Sequence, residues 1–473
     1  MLVNFLINSF IEELKHEPTN DQNQLFEKLA QFILDKSKDC VFLINGYAGT
    51  GKTSSISSVV KALRKVETKT FLLAPTGRAA KVFSHYSGQA AYTIHKKIYR
   101  QRSSSDGFGV FNLDKNLHKD TIFIVDEASM ISDSNGENSI FGSGNLLNDL
   151  IEYVYTGSNC KLILTGDTAQ LPPVGFDLSP ALEALTLEGF NLKVTEVSLT
   201  QVVRQSLESG ILSNATELRT LINKNIFSIK RPKFILNQTE VIRISGENLI
   251  EEISSSYDRF GIDNVIVINR SNKRANKYNQ GIRNSILYRE NQISTGDLIM
   301  VVKNNYYWSE TIEELDFIAN GDIAEIIKIT DYQEMYNLRF ADIRIRMLDY
   351  NNIELNVKII LNTLEIETAS LSSEENKKLF YSILEDYSDI PTKKQKYQKV
   401  KENIYFNALQ VKFSYAITCH KAQGGQWKIV FLDQGYITDE MINREYLRWL
   451  YTAFTRSVEK IYLVNFPDEY FMT

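Results

Sequence analysis

Residues 41–63 read VFLINGYAGTGKTSSISSVVKAL. An apolar run enters the octet Gly46-Tyr47-Ala48-Gly49-Thr50-Gly51-Lys52-Thr53, and a helix-forming stretch opening at Ser54 follows. Glycines at this spacing let successive backbone N–H groups curl around an anion, and the N-terminus of the next helix adds its partial positive charge. Strand, loop and helix in that order form a phosphate cradle. Lys52 has the reach for the β- and γ-phosphates of a nucleotide, and the Thr53 hydroxyl is a ligand for Mg2+.

Two further strands run the same way. TIFIVDEASMIS (121–132) is apolar from Ile122 to Val125 and ends in Asp126-Glu127. Acids at the C-terminal edge of a buried parallel strand sit where open α/β sheets bind ligands. Asp126 suits Mg2+, and Glu127 suits the orientation or deprotonation of an attacking water. Read alone, the acidic pair would serve equally well as a helix cap. KLILTGDTAQLPPVG (161–175) ends in Thr165, Asp167 and Gln170, and Gln170 is placed to sense a γ-phosphate.

Other polar strand ends lie outside this phosphate chemistry. FLLAPTGRAAKVF (71–83) carries Thr76, and AYTIHKKIY (91–99) carries Thr93 and His95. Hydroxyls, backbone amides and cations of this kind suit phosphodiester contacts, and Phe83 or Tyr92 offers a ring for stacking a base. Near the C-terminus TCHKAQGGQ (418–426) packs Thr418, His420, Gln423 and Gly424 into one turn.

Composition sets the frame without naming a function. The 473 residues call for two to four domains, and 43% apolar with 23% charged residues is ordinary for a globular chain. A net charge of -5 does not mark a polyanion binder, although a local basic groove would be hidden in that sum. No run approaches the ~20 apolar residues of a membrane helix, and no basic leader opens the chain. Three scattered cysteines fit neither a disulfide framework nor a zinc site. The expectation is a cytoplasmic protein without a membrane partner.

The ordered segments resemble the superfamily 1 helicases, most nearly the 5′→3′ branch with the Dda and RecD-type DNA helicases. GYAGTGKT, VDEASM and LTGDTAQLPPVG are similar to motifs I, II and III of that family. TNDQNQLF (19–26) looks like its Q motif, which makes Gln22 the adenine reader, with Gln24 as the competing choice. LTQVVRQ resembles motif IV and its arginine, Arg204; TCHKAQGGQ resembles motif V; WLYTAFTRSVEKIYLVN resembles motif VI, with Arg456 as an arginine supplied across the cleft.

The resemblance implies an α/β fold of two RecA-like P-loop domains with ATP and Mg2+ between them. Motor domain 1A would span 1–203, 2A would combine 204–290 with 405–473, and a β-rich SH3-like 2B domain with a charged helical extension would fill 291–404. A small hairpin at 100–119 would form domain 1B, the wedge that splits a duplex, with Phe108 and Phe111 at its apolar tip. In motif V, Thr418 and His420 would hold a DNA phosphate while Gln423 and Gly424 face the nucleotide. The implied partners are single-stranded DNA and duplex junctions, the implied active form a monomer, and RNA would satisfy the same backbone contacts. The implied activity is ATP-driven 5′→3′ translocation with unwinding. The competing reading is a nucleotide-switched single-strand-binding ATPase that never unwinds.

Overall fold

The computed structural model describes all residues except 103–109, 134–140, 204–208, 225–230, 311, 313, 314, 316, 349 and 473. In chain order, lobe 1 contains β1 (Cys40–Gly46), β2 (Lys69–Ala74) and β3 (Ala91–Thr93). The hairpin β4 (Tyr99–Arg102) and β5 (Val110–Leu113) comes next, then β6 (Thr121–Val125), β7 (Lys161–Gly166) and β8 (Lys193–Leu199). Six of these strands form one parallel sheet in the order β3-β2-β6-β7-β1-β8, and the hairpin stands apart. β1, β6 and β7 are buried along almost their whole length, as their unbroken apolar runs require of a sheet covered on both faces. β7 lies between the phosphate-loop strand and the acidic strand, so motifs I, II and III leave one edge side by side.

Lobe 2 holds a second parallel sheet. β9 (Val241–Ile244) and β10 (Val265–Asn269) precede an excursion, and β16 (Ala416–Thr418), β17 (Trp427–Asp433) and β18 (Ser457–Val464) follow it. The order is β16-β10-β17-β18-β9. The excursion is a closed barrel of β11 (Leu298–Val301), β12 (Ile323–Met335), β13 (Leu338–Met347), β14 (Ile353–Ile360) and β15 (Leu409–Phe413). Two helices, Ser373–Glu385 and Lys393–Glu402, stand between β14 and β15. The architecture is that of two RecA-like α/β domains with a β-rich insertion.

The expected return to lobe 2 near residue 405 occurs later. β15 pairs with both β11 and β14 and therefore closes the barrel, and lobe 2 resumes at Ala416. Only Ser414 and Tyr415 separate the two strands. This joint is locked by fully buried Asp297, which accepts from Arg283 at 3.0–3.1 Å, from Arg289 at 2.8 Å and from the Tyr415 hydroxyl at 3.0 Å. β4 and β5 overlap the 100–119 segment. Among the described residues, no helix is long and apolar enough to cross a membrane.

Candidate nucleotide cleft and nucleic-acid surface

The phosphate loop begins where β1 ends. Gly49 and Gly51 take φ of 77° and 75°, the left-handed region that side-chain-bearing residues avoid, and helix Lys52–Lys65 starts directly after Gly51. Lys52 Nζ donates to the Gly46 carbonyl at 3.1 Å. The hydroxyls of Thr50 and Ser54 donate within the loop, to Tyr47 O and Gly51 O, each at 2.8 Å. A cleft of about 680 Å3 opens here, lined by Gly49, Gly51, Lys52, Thr53 and Ser54 from lobe 1 and by Thr455, Arg456 and Ser457 from lobe 2.

Glu127, Asp167 and Gln170 line the same cleft. Glu127 follows β6 with φ 55°, a strained value for a residue with a side chain, which turns it out of the strand direction. Among the described residues, its Oε2 and the Oε1 of Gln170 are buried without a hydrogen-bond partner. Such orphaned acceptors in a cleft fit a missing water or ligand. Burial, and next the Glu127 charge, push Asp126 up to about 6 against the opposing pull of Lys52. The glycine cradle and Lys52 fit a nucleoside triphosphate, and the two acceptors fit a water beside it. Thr53 and Asp126 fit its Mg2+, an ion that keeps most of its waters and takes phosphate oxygens rather than a protein cage. Among the described residues no group of three metal-ligating side chains occurs.

Lobe 2 meets this edge directly. The Tyr451 hydroxyl accepts the Ala48 N–H at 2.8 Å and donates to Asp167 Oδ2 at 2.6 Å. The Thr452 hydroxyl accepts the Leu171 N–H at 2.8 Å. Arg456 lies just beyond helix Arg444–Phe454, with its guanidinium on Thr452 O, Gly425 O and Thr455 Oγ1 at 3.1–3.2 Å. On the opposite side of the seam, Arg78 stacks over Trp427 at 3.9 Å.

Several sequence expectations are corrected. Gln22 does not line the cleft: it is fully buried, its carbonyl receives the Thr19 N–H in a capping box, and its amide donates to Ser55 Oγ at 3.0 Å, bracing the loop from behind. Gln24 is exposed. Gln423 does not line the cleft and donates to Leu171 O at 2.7 Å. Gly424, at φ 72°, abuts the helix Gly77–Ser87 of lobe 1, where an added Cβ would lie 2.9 Å from Ala79 Cβ. Phe83 is 1% exposed in the lobe 1 core and offers no platform. Phe111 is 9% exposed and packs against Tyr306 of the barrel at 4.2 Å, so it anchors the hairpin and does not tip it. Phe108 and Arg204 lie outside the described residues.

Of the remaining nucleic-acid candidates, Thr93 is buried at 7% exposed, and Thr76 and His95 are half-buried. Thr76 and Thr93 cap the helices that follow them, accepting from Ala79 N at 3.2 Å and Lys96 N at 3.1 Å. His95 lies against Tyr99 and Phe141, and burial pushes its pKa down to about 4, so it offers an uncharged ring. Thr418 precedes the short helix Cys419–Ala422 with no side-chain cap bond, and His420 is exposed. Lys421 reaches Asn320 at the β11–β12 turn. Tyr451 and Thr452 were not singled out from the sequence, because an apolar-looking helix face hides a hydroxyl whose partner lies hundreds of residues away.

A family model described as an AAA domain matches residues 18–221, and a UvrD-like helicase C-terminal domain matches residues 413–464. An uncharacterised protein of Acanthamoeba polyphaga mimivirus is 24% identical over 93% of this chain and 99% of its own length. The ATP-dependent RecD2 DNA helicase of Deinococcus radiodurans is 29% identical over 42% of this chain and 24% of its own. The ATP-dependent DNA helicase dda of Enterobacteria phage T4 is 24% identical over 66% of this chain and 67% of its own. A crystal structure of Pif1 helicase from Bacteroides with ADP-AlF3 and ssDNA covers 97% of this chain and 95% of its own at 15% identity and a TM-score of 0.48. The order of motifs agrees with the spans of the two family models, and the chain resembles the superfamily 1 helicases, with Dda and RecD-type enzymes among its relatives.

Proposed function

We propose that the chain is an ATP-dependent DNA helicase that moves 5′→3′ on single-stranded DNA and opens duplex ahead of it. One observation carries this reading: Lys52, Glu127 and Gln170 of lobe 1 and Arg456 of lobe 2 line one cleft. The loop amides and Lys52 hold the triphosphate, Glu127 orients and deprotonates water, and Gln170 contacts the terminal phosphate. Arg456 stabilises charge on the transferring phosphoryl group from the facing lobe, and the resemblance to motif IV gives Arg204 the same role. Mg2+, held through Thr53 and Asp126, supplies charge neutralisation between the phosphates when bound.

Nucleotide thus favours a closed cleft and its loss an open one. The strand lies on the other side of the seam, over Thr76 and Thr93 of lobe 1 and Thr418 and His420 of lobe 2. Closure changes the spacing of these grips, which moves the strand. One chain supplies both faces of the cleft, so a monomer suffices. Polarity is supported by the resemblance to Dda and RecD-type enzymes. Three unpaired, buried cysteines suit the reducing interior of a cell.

ATP turnover with and without single-stranded DNA and RNA, followed by strand displacement on 5′- and 3′-tailed duplexes, tests the proposal. DNA-stimulated turnover and unwinding from a 5′ tail are expected. Unwinding only from a 3′ tail overturns the polarity, and stimulated turnover without unwinding overturns the helicase in favour of a switched binding protein.

A further inference from the structure

We propose that Tyr451 is a positioning residue that ties the phosphate loop to lobe 2. This inference rests on the ATPase reading above and adds to it a route by which the second lobe reads the first.

Helix Arg444–Phe454 of lobe 2 directs two adjacent hydroxyls into lobe 1. Tyr451 is 1% exposed, and its single oxygen accepts from Ala48 N–H and donates to Asp167 Oδ2. Thr452, fully buried, receives the Leu171 N–H, while Gln423 of the motif V turn donates to Leu171 O. Four hydrogen bonds from lobe 2 therefore grip the loop and the segment Asp167–Leu171. β1 and β7 are paired up to Asn45 and Gly166, so the loop and Asp167 leave adjacent strands at one level, and the Tyr451 oxygen spans the gap between them.

The chemistry of that oxygen is specific. A phenol hydroxyl is both acceptor and donor, and both capacities are used; a phenylalanine ring of the same shape has neither. Asp167 is buried, which raises its pKa, and among the described residues its carboxylate accepts from the Tyr451 hydroxyl and from the Ala169 N–H, at 2.9 Å. Without Tyr451 this carboxylate is under-satisfied beside Lys52 and Gln170 in the cleft wall. Arg456 follows five residues later on the same stretch of chain. The hydroxyl therefore sets the register in which Arg456 approaches the loop, and a phosphate that reorients the Ala48 amide acts on lobe 2 through it.

The test uses the full chain as wild type, Tyr451→Phe, Asp167→Asn and the double variant, with saturating single-stranded DNA. Tyr451→Phe is expected to lower kcat for ATP about tenfold or more, the worth of a hydrogen bond to a charged group. KM for ATP should change by less than about threefold, because ground-state nucleotide contacts are untouched. The double variant should lose less than the product of the two single losses, since both changes break the Tyr451–Asp167 bond. Thr452→Val, which removes the acceptor for Leu171 N–H at nearly constant volume, is expected to show the same kcat-selective loss and carries the test if Tyr451→Phe does not fold. A kcat for Tyr451→Phe within twofold of wild type overturns the inference, as does a double variant whose loss is the product of the single losses. A wild type that hydrolyses no ATP under any condition removes the ATPase reading itself, and the inference with it; normal wild-type turnover with a silent Tyr451→Phe removes the inference alone.

Discussion

The Arg456 guanidinium donates to the Gly425 carbonyl at 3.2 Å, so the arginine lining the nucleotide cleft is held by the motif V turn of its own lobe. Thr452 O and Thr455 Oγ1 take its other donors. Thr452, one of the neighbours that aim it, also receives the Leu171 N–H of lobe 1. Arg456→Lys keeps the charge and loses the fork of donors. The expected outcome is nucleotide binding within about threefold of wild type and turnover reduced by about 10³ or more. Binding of a fluorescent ATP analogue beside single-turnover hydrolysis checks it, and unchanged hydrolysis would remove Arg456 from the chemistry.

Asp126 gives a pH signature. Its pKa is held up to about 6 by burial and by Glu127. Between about pH 4 and pH 6 the folded chain retains a proton that the unfolded chain has released, so folding stability falls as pH rises through that window. Asp126→Asn should therefore stabilise the nucleotide-free protein by about 1–3 kcal/mol at pH 7 and by almost nothing at pH 4, while abolishing Mg2+-dependent turnover. Melting curves at the two pH values decide it; equal shifts at both would contradict the assignment.

Phe111 and Tyr306 join the hairpin to the barrel with ring centroids 4.2 Å apart. Phe111→Ala leaves a cavity beside Phe141 and Tyr99 and should cost about 3 kcal/mol of local stability. Strand displacement is expected to fall at least tenfold, with DNA-stimulated ATP turnover reduced less than threefold. Equal losses in the two assays would show that the hairpin has no separate part in opening duplex.

Thr418 and His420 lie on the turn that also holds Gln423. Replacing both by Ala should weaken stimulation of turnover by single-stranded DNA about tenfold and leave the basal rate within twofold. Full stimulation in the double variant would move the strand elsewhere on lobe 2.

What could be read from the chain was the chemistry that is local in sequence. The Gly46–Thr53 cradle and the acids ending β6 are contiguous, so their conformation and purpose are written within a few residues. Phe83 and Phe111 were misread because an aromatic residue says nothing of which way it faces; both serve cores. Gln423 was assigned to nucleotide, yet its partner Leu171 is 252 residues away and no spacing rule reports it. The barrel boundary was missed because LQVKF and AIT read as one apolar stretch, although sheet pairing assigns them to different bodies.

That boundary has a mechanical meaning. With two residues and a buried Asp297–arginine lock at the joint, barrel and lobe 2 form one stiff lever rather than a domain on a tether. The segment that joins β11 to β12 rests on the hairpin of lobe 1 through Tyr306. Any change of angle between the two lobes would have to be taken up at the Phe111–Tyr306 rings.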